Sequence, residues 1–325
     1  MKQHRIARAR IAAVGTGLAA LSLVAACSSG QSSQNGFAQA QSTGNPRSVV
    51  LLNEPWDDLE AENVIAQQLL AKLGYSASID NLAVDVGAKS MEDGQVDAFL
   101  GNWWPSQKPT LGAMISQGKV KVVGTLLTGT RYGPAVPGAT AQKYHITSLA
   151  DLARYGAAFG YKIYGIEAGT PGNQTLLKMI SNNDYGLGKW QVVQSSTPAM
   201  LAQVERAVSQ HQAIAFLAWS PHWMTIQFHT VFLADPQHDW GGAGEIRTIV
   251  SARYAGKAPQ ITRFLANLKF TTAQAGDFYL QHDKQGMSFG MIASDWIRAN
   301  PGQVRQFLAG VRAADGKPAV TAVFS

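Results

Sequence analysis

The folded part of the chain opens with the segment Ser48-Val-Val-Leu-Leu-Asn-Glu-Pro-Trp-Asp-Asp58. Its apolar, partly β-branched run ends just before a proline and predicts a buried strand. Asp57 and Asp58 then predict the cap of a helix that runs through Lys72 and stops at Gly74, since the apolar residues recur on one face. A buried strand followed at once by an amphipathic helix is the repeating unit of α/β folds.

The rest of the chain repeats this alternation of apolar runs and amphipathic stretches. Further strands are predicted at residues 96–100, 120–127, 162–167, 192–194, 213–218 and 247–251. Further helices are predicted at residues 148–159, 173–181, 198–210, 260–267, 272–281 and 290–299. This alternation indicates an α/β fold with mainly parallel sheets, and a length of 325 residues allows about two domains.

The composition excludes several classes of protein. With 46% hydrophobic residues, 15% charged residues and one Cys, the chain is not disordered, collagenous or a disulfide scaffold. The net charge of +6 is concentrated at the start, because four basic and no acidic residues lie in residues 1–26. Without those four, 23 of the 27 Lys and Arg remain against 21 Asp and Glu. We therefore expect no nucleic-acid partner.

Residues 1–26 combine a basic head with an apolar run, which is typical of an export signal. They lead into Leu23-Val-Ala-Ala-Cys27, which resembles the bacterial lipobox, where a lipid is attached to the cysteine. An ordinary secretory signal followed by a chance cysteine is the alternative. Residues 27–47 are rich in Ser, Gln, Gly and Asn and predict a flexible tether. We therefore expect an extracytoplasmic protein that a lipid on Cys27 anchors to the membrane.

Tryptophans stand at the ends of three predicted strands, each close to a proline: Trp56, the pair Trp103-Trp104, and Trp219. In open α/β sheets ligands bind beyond the carboxyl ends of the strands, so these rings are expected to line one pocket. The alternative is that each ring covers an edge of the hydrophobic core. A pocket with several aromatic faces suits a quaternary ammonium ion, which cannot donate hydrogen bonds but is attracted to ring faces. Asp58, two residues after Trp56, would add an opposite charge.

The case for an enzyme is weak. Gly286-Met-Ser-Phe-Gly290 matches the G-x-S-x-G nucleophile motif, but the last histidine of the chain is His282, so no histidine follows the serine to act as its base. The histidines do not have zinc-site spacing, and neither a Walker A motif nor a Rossmann glycine pattern is present. We therefore expect no catalytic activity, no cofactor and no metal.

Five segments together resemble the choline and glycine betaine substrate-binding proteins of ABC transporters, most closely the choline-binding, OpuAC-like branch. The segments are Trp56-Asp-Asp58, Phe99-Leu-Gly-Asn-Trp-Trp-Pro105, Lys162–Gly169 with Gly172-Asn173, Met200–Val204 and Phe216–His222. The resemblance implies that Trp56 and Trp103 from one lobe and Tyr132 and Trp219 from the other surround a trimethylammonium group. It also implies that Asp58 faces the cation and that Asn173 binds the ligand hydroxyl. The sequence departs from the family pattern at Trp104, Ser220 and Trp223.

The resemblance further implies a two-lobed periplasmic-binding-protein fold, type II-like, in which the ligand draws the lobes together. Lobe 1 would comprise residues 48–130 with 235–325, and lobe 2 residues 131–234, because the chain would cross near Thr128–Tyr132 and Val231–Pro236. The closed form would dock on the permease of an ABC importer, which an ATPase drives. A sensing or adhesion lipoprotein that does not transport is the alternative.

Choline is the expected ligand, because it is a net cation with a hydroxyl, and a nearby Asp58 favours a cation. The alternatives are glycine betaine, proline betaine and carnitine, whose carboxylate needs a donor. Arg131 or the backbone amides of Gly169–Asn173 at a helix start are candidates for that donor. From local sequence alone, Asp58 is equally well explained as a helix cap.

Overall fold

The computed structural model describes residues 45–240 and 244–324. The predicted signal of residues 1–26, the lipidation site Cys27 and most of the predicted tether lie outside the described residues. Among the helices of the described ranges, none combines the length and the apolarity that a membrane crossing needs.

Strands and helices alternate along the described chain. The strands are β1 Ser48–Asn53, β2 Ser76–Asn81, β3 Ala98–Trp104, β4 Val120–Val136, β5 Lys162–Tyr164, β6 Gln191–Val193, β7 Ala215–Ser220, β8 Val231–Phe232 and β9 Gly244–Ser251. The helices before β9 are α1 Asp57–Lys72, α2 Val84–Glu92, α3 Lys108–Ser116, α4 Gly138–Tyr144, α5 Leu149–Leu152, α6 Pro171–Asn182, α7 Thr197–Ser209 and α8 Trp223–Gln227. After β9 come α9 Ala252–Lys257, α10 Pro259–Asn267, α11 Thr272–Asp283, α12 Phe289–Ala299, α13 Pro301–Phe307 and α14 Ala319–Phe324.

The strands form one continuous sheet in the order β2-β1-β3-β9-β4-β7-β5-β6, with β8 beside β4. The outer pairs β1–β2, β1–β3, β5–β6 and β5–β7 are parallel, as the alternating pattern predicts. The central pairs that involve β9 and β4 are antiparallel. The pattern of apolar runs did not predict that these pairs are antiparallel, because it does not show which strands become neighbours in the sheet.

The long strand β4 belongs to both halves of the sheet. Up to Thr130 it pairs with β9, and from Arg131 onward it pairs with β7. We call β2, β1, β3, β9 and the first part of β4 the first half-sheet, and the rest of β4 with β7, β5, β6 and β8 the second half-sheet. The change of partner between Thr130 and Arg131 falls inside the first predicted crossing between lobes.

The first strand and helix follow the sequence closely, except at the cap. Leu51 and Leu52 of β1 are buried, and α1 packs Ile65, Leu69 and Leu70 against the sheet. The predicted cap is wrong: Trp56 is the N-cap residue of α1, and Asp57 and Asp58 lie in the first helical turn. Acidic side chains are also favourable there, because they face the positive end of the helix dipole.

Candidate functional site

A cavity whose lining includes four aromatic side chains lies between the two half-sheets. Protein atoms leave about 370 Å³ of space there, part of it open to solvent. The described residues that line it are Trp56, Trp103, Ser106, Gln107, Tyr132, Ile166, Thr170, Pro171 and Trp219. The four aromatic residues predicted for the site are all among them.

Backbone pairing brings three of these rings together. Tyr132 on β4 and Trp219 on β7 are direct cross-strand partners, and their ring centroids lie 6.4 Å apart. Trp103 on β3 is paired with Ile246 of β9 and reaches Tyr132 at a centroid distance of 6.1 Å. Trp103 and Trp219 thus lie on the strands and not in the turns after them, because pairing with β9 and β4 extends both ladders beyond the predicted ends.

Trp104, the residue after Trp103 in β3, is not part of the cavity lining, and consecutive residues of a strand face opposite sides of the sheet. The guanidinium carbon of Arg247 lies 3.8 Å from the centroid of the Trp104 ring. Arg247 also donates hydrogen bonds to the Asn102 side-chain oxygen. The second tryptophan of the pair is therefore a structural residue of β3 with its own cationic partner.

Two neighbours fix the Tyr132 ring from outside the cavity. Trp240 packs edge-on against it at a centroid distance of 5.5 Å. A Cβ atom placed on Gly172 would lie 1.9 Å from the Tyr132 hydroxyl, so the second residue of α6 must be glycine for this ring position. Trp240 was not among the predicted site residues, because it follows a loop and not a predicted strand.

Asp58 lies behind the aromatic lining and does not form part of it. Its carboxylate is 1% exposed and accepts a hydrogen bond of 2.6 Å from the Tyr279 hydroxyl. That hydroxyl in turn accepts a hydrogen bond of 2.9 Å from the Trp219 indole N–H. Burial raises the pKa of Asp58 to about 6, although the Tyr279 hydrogen bond opposes the shift. Tyr279, on the distant helix α11, carried no sequence signal for the site.

Asn173 is also absent from the cavity lining. It is fully buried, and its side-chain oxygen accepts a hydrogen bond from the Ile166 amide. Its side-chain nitrogen donates to the carbonyls of Ile166 and Glu167 and to the Gln194 side chain. In this structure Asn173 therefore holds the loop that leads from β5 to α6, and its predicted contact with a ligand hydroxyl stays a prediction.

A polar chain fixes the Gln107 side chain at the edge of the cavity. Its nitrogen donates to the Glu54 carboxyl group at 2.9 Å, and its oxygen accepts from Asn102 at 3.0 Å. Burial raises the pKa of Glu54 well above its usual value. Neither Gln107 nor Glu54 was among the predicted site residues, since amides and acids after a strand occur in many other roles.

The described lining contains neither lysine nor arginine. Arg131, a sequence candidate for binding a ligand carboxylate, places its guanidinium carbon 4.6 Å from the centroid of Phe232 and is not part of the lining. The start of α6 does line the cavity, through Thr170 and Pro171. The Thr170 hydroxyl is buried and has no hydrogen-bond partner among the described residues.

A cluster of two aspartates and one histidine lies outside the cavity, where α1 meets α11. Oxygen and nitrogen atoms of Asp57, His282 and Asp283 come within 4.8 Å of one another. Burial and the neighbouring Asp283 raise the pKa of Asp57 to about 8. None of the three residues lines the aromatic cavity.

The G-x-S-x-G match has a structural explanation. Ser288 is the N-cap residue of α12, and its side chain accepts a hydrogen bond from the Met291 amide. The nucleophile motif requires a strand before the serine, whereas helix α11 precedes this one.

Residues 47–299 match the family described as the substrate-binding domain of the ABC-type glycine betaine transport system. A curated relative, the glycine betaine/carnitine transport binding protein GbuC of Listeria monocytogenes serotype 1/2a (strain 10403S), is 32% identical over 163 residues. That match spans 50% of this chain and 53% of the relative, about half of each.

Two solved structures resemble the chain over most of its length. An ABC-transporter choline-binding protein in complex with choline is 30% identical, with a TM-score of 0.82, and the match covers 85% of this chain and 96% of that one. The lactococcal OpuAC in a closed-liganded conformation with glycine betaine is 26% identical, with a TM-score of 0.72, and the match covers 80% and 99%. These matches confirm the predicted two-lobed α/β fold. The family is one of transport proteins and not of enzymes. The chain belongs to the family of substrate-binding domains of ABC-type glycine betaine transport systems.

Proposed function

We propose that the chain is the extracytoplasmic binding component of an ABC importer and that choline is its preferred ligand. The observation that carries this proposal is the aromatic cavity: Trp103 of the first half-sheet, Tyr132 and Trp219 of the second, and Trp56 line one space. A trimethylammonium group cannot donate hydrogen bonds, so ring faces are its main source of specific attraction. Each ring face contributes about 0.5–2 kcal/mol, more where water is excluded.

The preference for choline follows from the charges around the cavity. Glycine betaine and carnitine carry a carboxylate, which needs a cation or several N–H donors. The described lining offers neither lysine nor arginine, and Asp58 lies two hydrogen bonds behind Trp219. A buried acid near the site opposes a second carboxylate and favours a net cation.

Glycine betaine, with carnitine, is the second candidate, and one feature of the cavity favours it. Thr170 and Pro171 at the start of α6 line the space, and a helix start supplies backbone N–H donors to an anion. The relatives and solved structures named above include proteins whose names state glycine betaine and carnitine.

Binding would act by closure of two lobes, residues 48–130 with 235–325 and residues 131–234. The change of partner along β4 and the position of the rings on both half-sheets support this division. A ligand that contacts rings of both lobes stabilises the closed form, which then docks on the permease. The lipid anchor on Cys27 and the tether to residue 47 would keep the protein close to that permease.

Calorimetric titration of the purified protein with choline, glycine betaine and carnitine tests the proposal. We expect choline to bind most tightly. Trp103→Leu should weaken choline binding at least about tenfold, because it removes a ring face but keeps an apolar side chain. Trp104→Leu is the matched control, since it changes the adjacent residue that lies outside the lining, and it should leave the affinity within about twofold.

Tighter binding of glycine betaine or carnitine than of choline would overturn the choice of ligand. Equal effects of Trp103→Leu and Trp104→Leu would show that the aromatic cavity is not the binding site.

A further inference from the structure

Three buried groups form a continuous hydrogen-bonded chain behind the cavity. The Trp219 indole N–H donates to the Tyr279 hydroxyl at 2.9 Å, and that hydroxyl donates to the Asp58 carboxylate at 2.6 Å. The exposed fractions of the three residues are 4%, 1% and 1%. Of the three, only Trp219 lines the cavity.

The surroundings leave Asp58 as the charged end of this chain. The His222 ring packs on Tyr279 at a centroid distance of 4.2 Å and on Trp219 at 5.1 Å. Burial lowers the pKa of His222 to about 3, so the imidazole is neutral. Burial and the nearby Asp58 raise the pKa of Glu62 well above its usual value.

When a hydroxyl donates a hydrogen bond to a carboxylate, the hydrogen bond that the same hydroxyl accepts becomes stronger. The Tyr279 hydroxyl becomes a better acceptor when it donates to an anion, and it then polarises the indole N–H more strongly. An indole whose N–H is polarised in this way carries more negative charge on its ring face. That face is where a cation is attracted.

We propose that Asp58 acts on the ligand through Tyr279 and Trp219: the chain orients the indole and enriches its face in electrons, so that the site prefers a cation to a neutral molecule of the same shape. This inference rests on the proposed function, because it needs a quaternary ammonium ligand in the aromatic cavity. Tyr279 is accordingly a positioning residue that sets charge preference without touching the ligand.

The test compares choline with its neutral carbon analogue dimethylbutanol, in which carbon replaces the nitrogen. Both ligands are titrated against the wild type, Tyr279→Phe and Asp58→Asn at pH 8, where Asp58 is ionised. Tyr279→Phe breaks the chain but keeps the carboxylate, whereas Asp58→Asn keeps an acceptor but removes the charge. We expect each variant to lower the preference for choline over dimethylbutanol about threefold or more.

Tyr254→Phe is the matched control. Tyr254 is 2% exposed and also donates a hydrogen bond of 2.6 Å, to the Ser48 carbonyl, but it does not line the cavity. Loss of this hydrogen bond in Tyr254→Phe should reduce stability without changing the preference for choline over dimethylbutanol. Thermal melting of all variants reports the stability.

A purely structural role of Tyr279 would weaken both ligands equally, and an unchanged preference in Tyr279→Phe would overturn the inference. Loss of the preference for choline in Asp58→Asn but not in Tyr279→Phe would also overturn the inference, since Asp58 would then act on the ligand directly. A wild-type protein that does not bind choline would instead contradict the proposed function. If Tyr279→Phe does not fold, an unchanged preference in Asp58→Asn is sufficient to reject the inference.

Discussion

At the level of single residues, Asp58 is a carboxylate with almost no contact with water. It is 1% exposed, and the Tyr279 hydroxyl compensates for part of the lost hydration. A buried acid of this kind is costly unless a hydrogen bond or a cation stabilises its charged form. A bound quaternary ammonium ion would supply such a cation.

This arrangement predicts a pH dependence of binding between pH 7 and pH 5. Burial raises the pKa of Asp58 to about 6, so Asp58 is mostly ionised at pH 7 and mostly protonated at pH 5. A cation favours the ionised form, and choline affinity should therefore fall as pH falls through 6, by up to about tenfold at pH 5. Calorimetric titration at both pH values measures the change.

The control for the pH prediction is Asp58→Asn, whose affinity should be nearly constant between pH 5 and pH 7. Asp57 does not interfere in this range, because its pKa of about 8 keeps it mostly protonated. Glu62 shares the buried environment of Asp58, and burial and the Asp58 charge raise the pKa of Glu62 well above its usual value. The same fall in affinity in Asp58→Asn would show that another group is responsible.

The sequence predicted the aromatic residues of the candidate site and Asp58, but not Tyr279, which connects Asp58 to Trp219. Trp56, Trp103 and Trp219 stand out because tryptophan is rare and each lies at the end of an apolar run. Tyr279 lies in an amphipathic helix far along the chain, where an ordinary core tyrosine is equally expected. Its role depends on a contact across 60 residues with Trp219, which no local pattern records.

At the scale of elements, the start of α6 determines how closely that helix approaches β4. Pro171 occupies the first position of the helix and Gly172 the second. The Tyr132 hydroxyl fills the space that a side chain at Gly172 would take, at 1.9 Å from an added Cβ. Helix and strand thus meet at the wall of the cavity.

We therefore predict that Gly172→Ala weakens choline binding about tenfold or more. The added methyl group must displace the Tyr132 ring or the helix start, and overpacking of this kind costs about 1–3 kcal/mol. Gly302→Ala is the matched control, because Gly302 also follows a proline at the start of a helix and has no atoms within 4 Å of an added Cβ. Calorimetric titration of both variants checks the prediction, which an unchanged affinity in Gly172→Ala would contradict.

The sequence predicted the presence of most elements better than their ends. The runs that became β3 and β7 were predicted to end at Leu100 and Ala218, whereas β3 extends to Trp104 and β7 to Ser220. The additional residues pair with β9 and β4, which come from distant parts of the chain. Strand β2 was not predicted, because its sequence is largely polar. Only its parallel pairing with β1 shows that it is a strand.

At the level of the whole molecule, the end of α11 and the residue after it contact the segment that runs from α7 to α8. The Trp219–Tyr279 hydrogen bond is one such contact, and Lys284 forms an ion pair of 3.0 Å with Glu205. The Lys284 ammonium group also lies 3.6 Å from the centroid of the Trp223 ring. In the proposed division into lobes these contacts cross from one lobe to the other, so they would stabilise the closed form.

We propose that rings from both half-sheets hold one quaternary ammonium group. A crystal structure of the choline complex would show whether they do. We predict that the choline nitrogen lies within about 6 Å of the ring centroids of Trp56, Trp103, Tyr132 and Trp219. Choline bound instead in the open cleft beside Asp57, Glu60 and Ser196, with the rings of the two half-sheets apart, would show that the aromatic cavity does not bind the ligand.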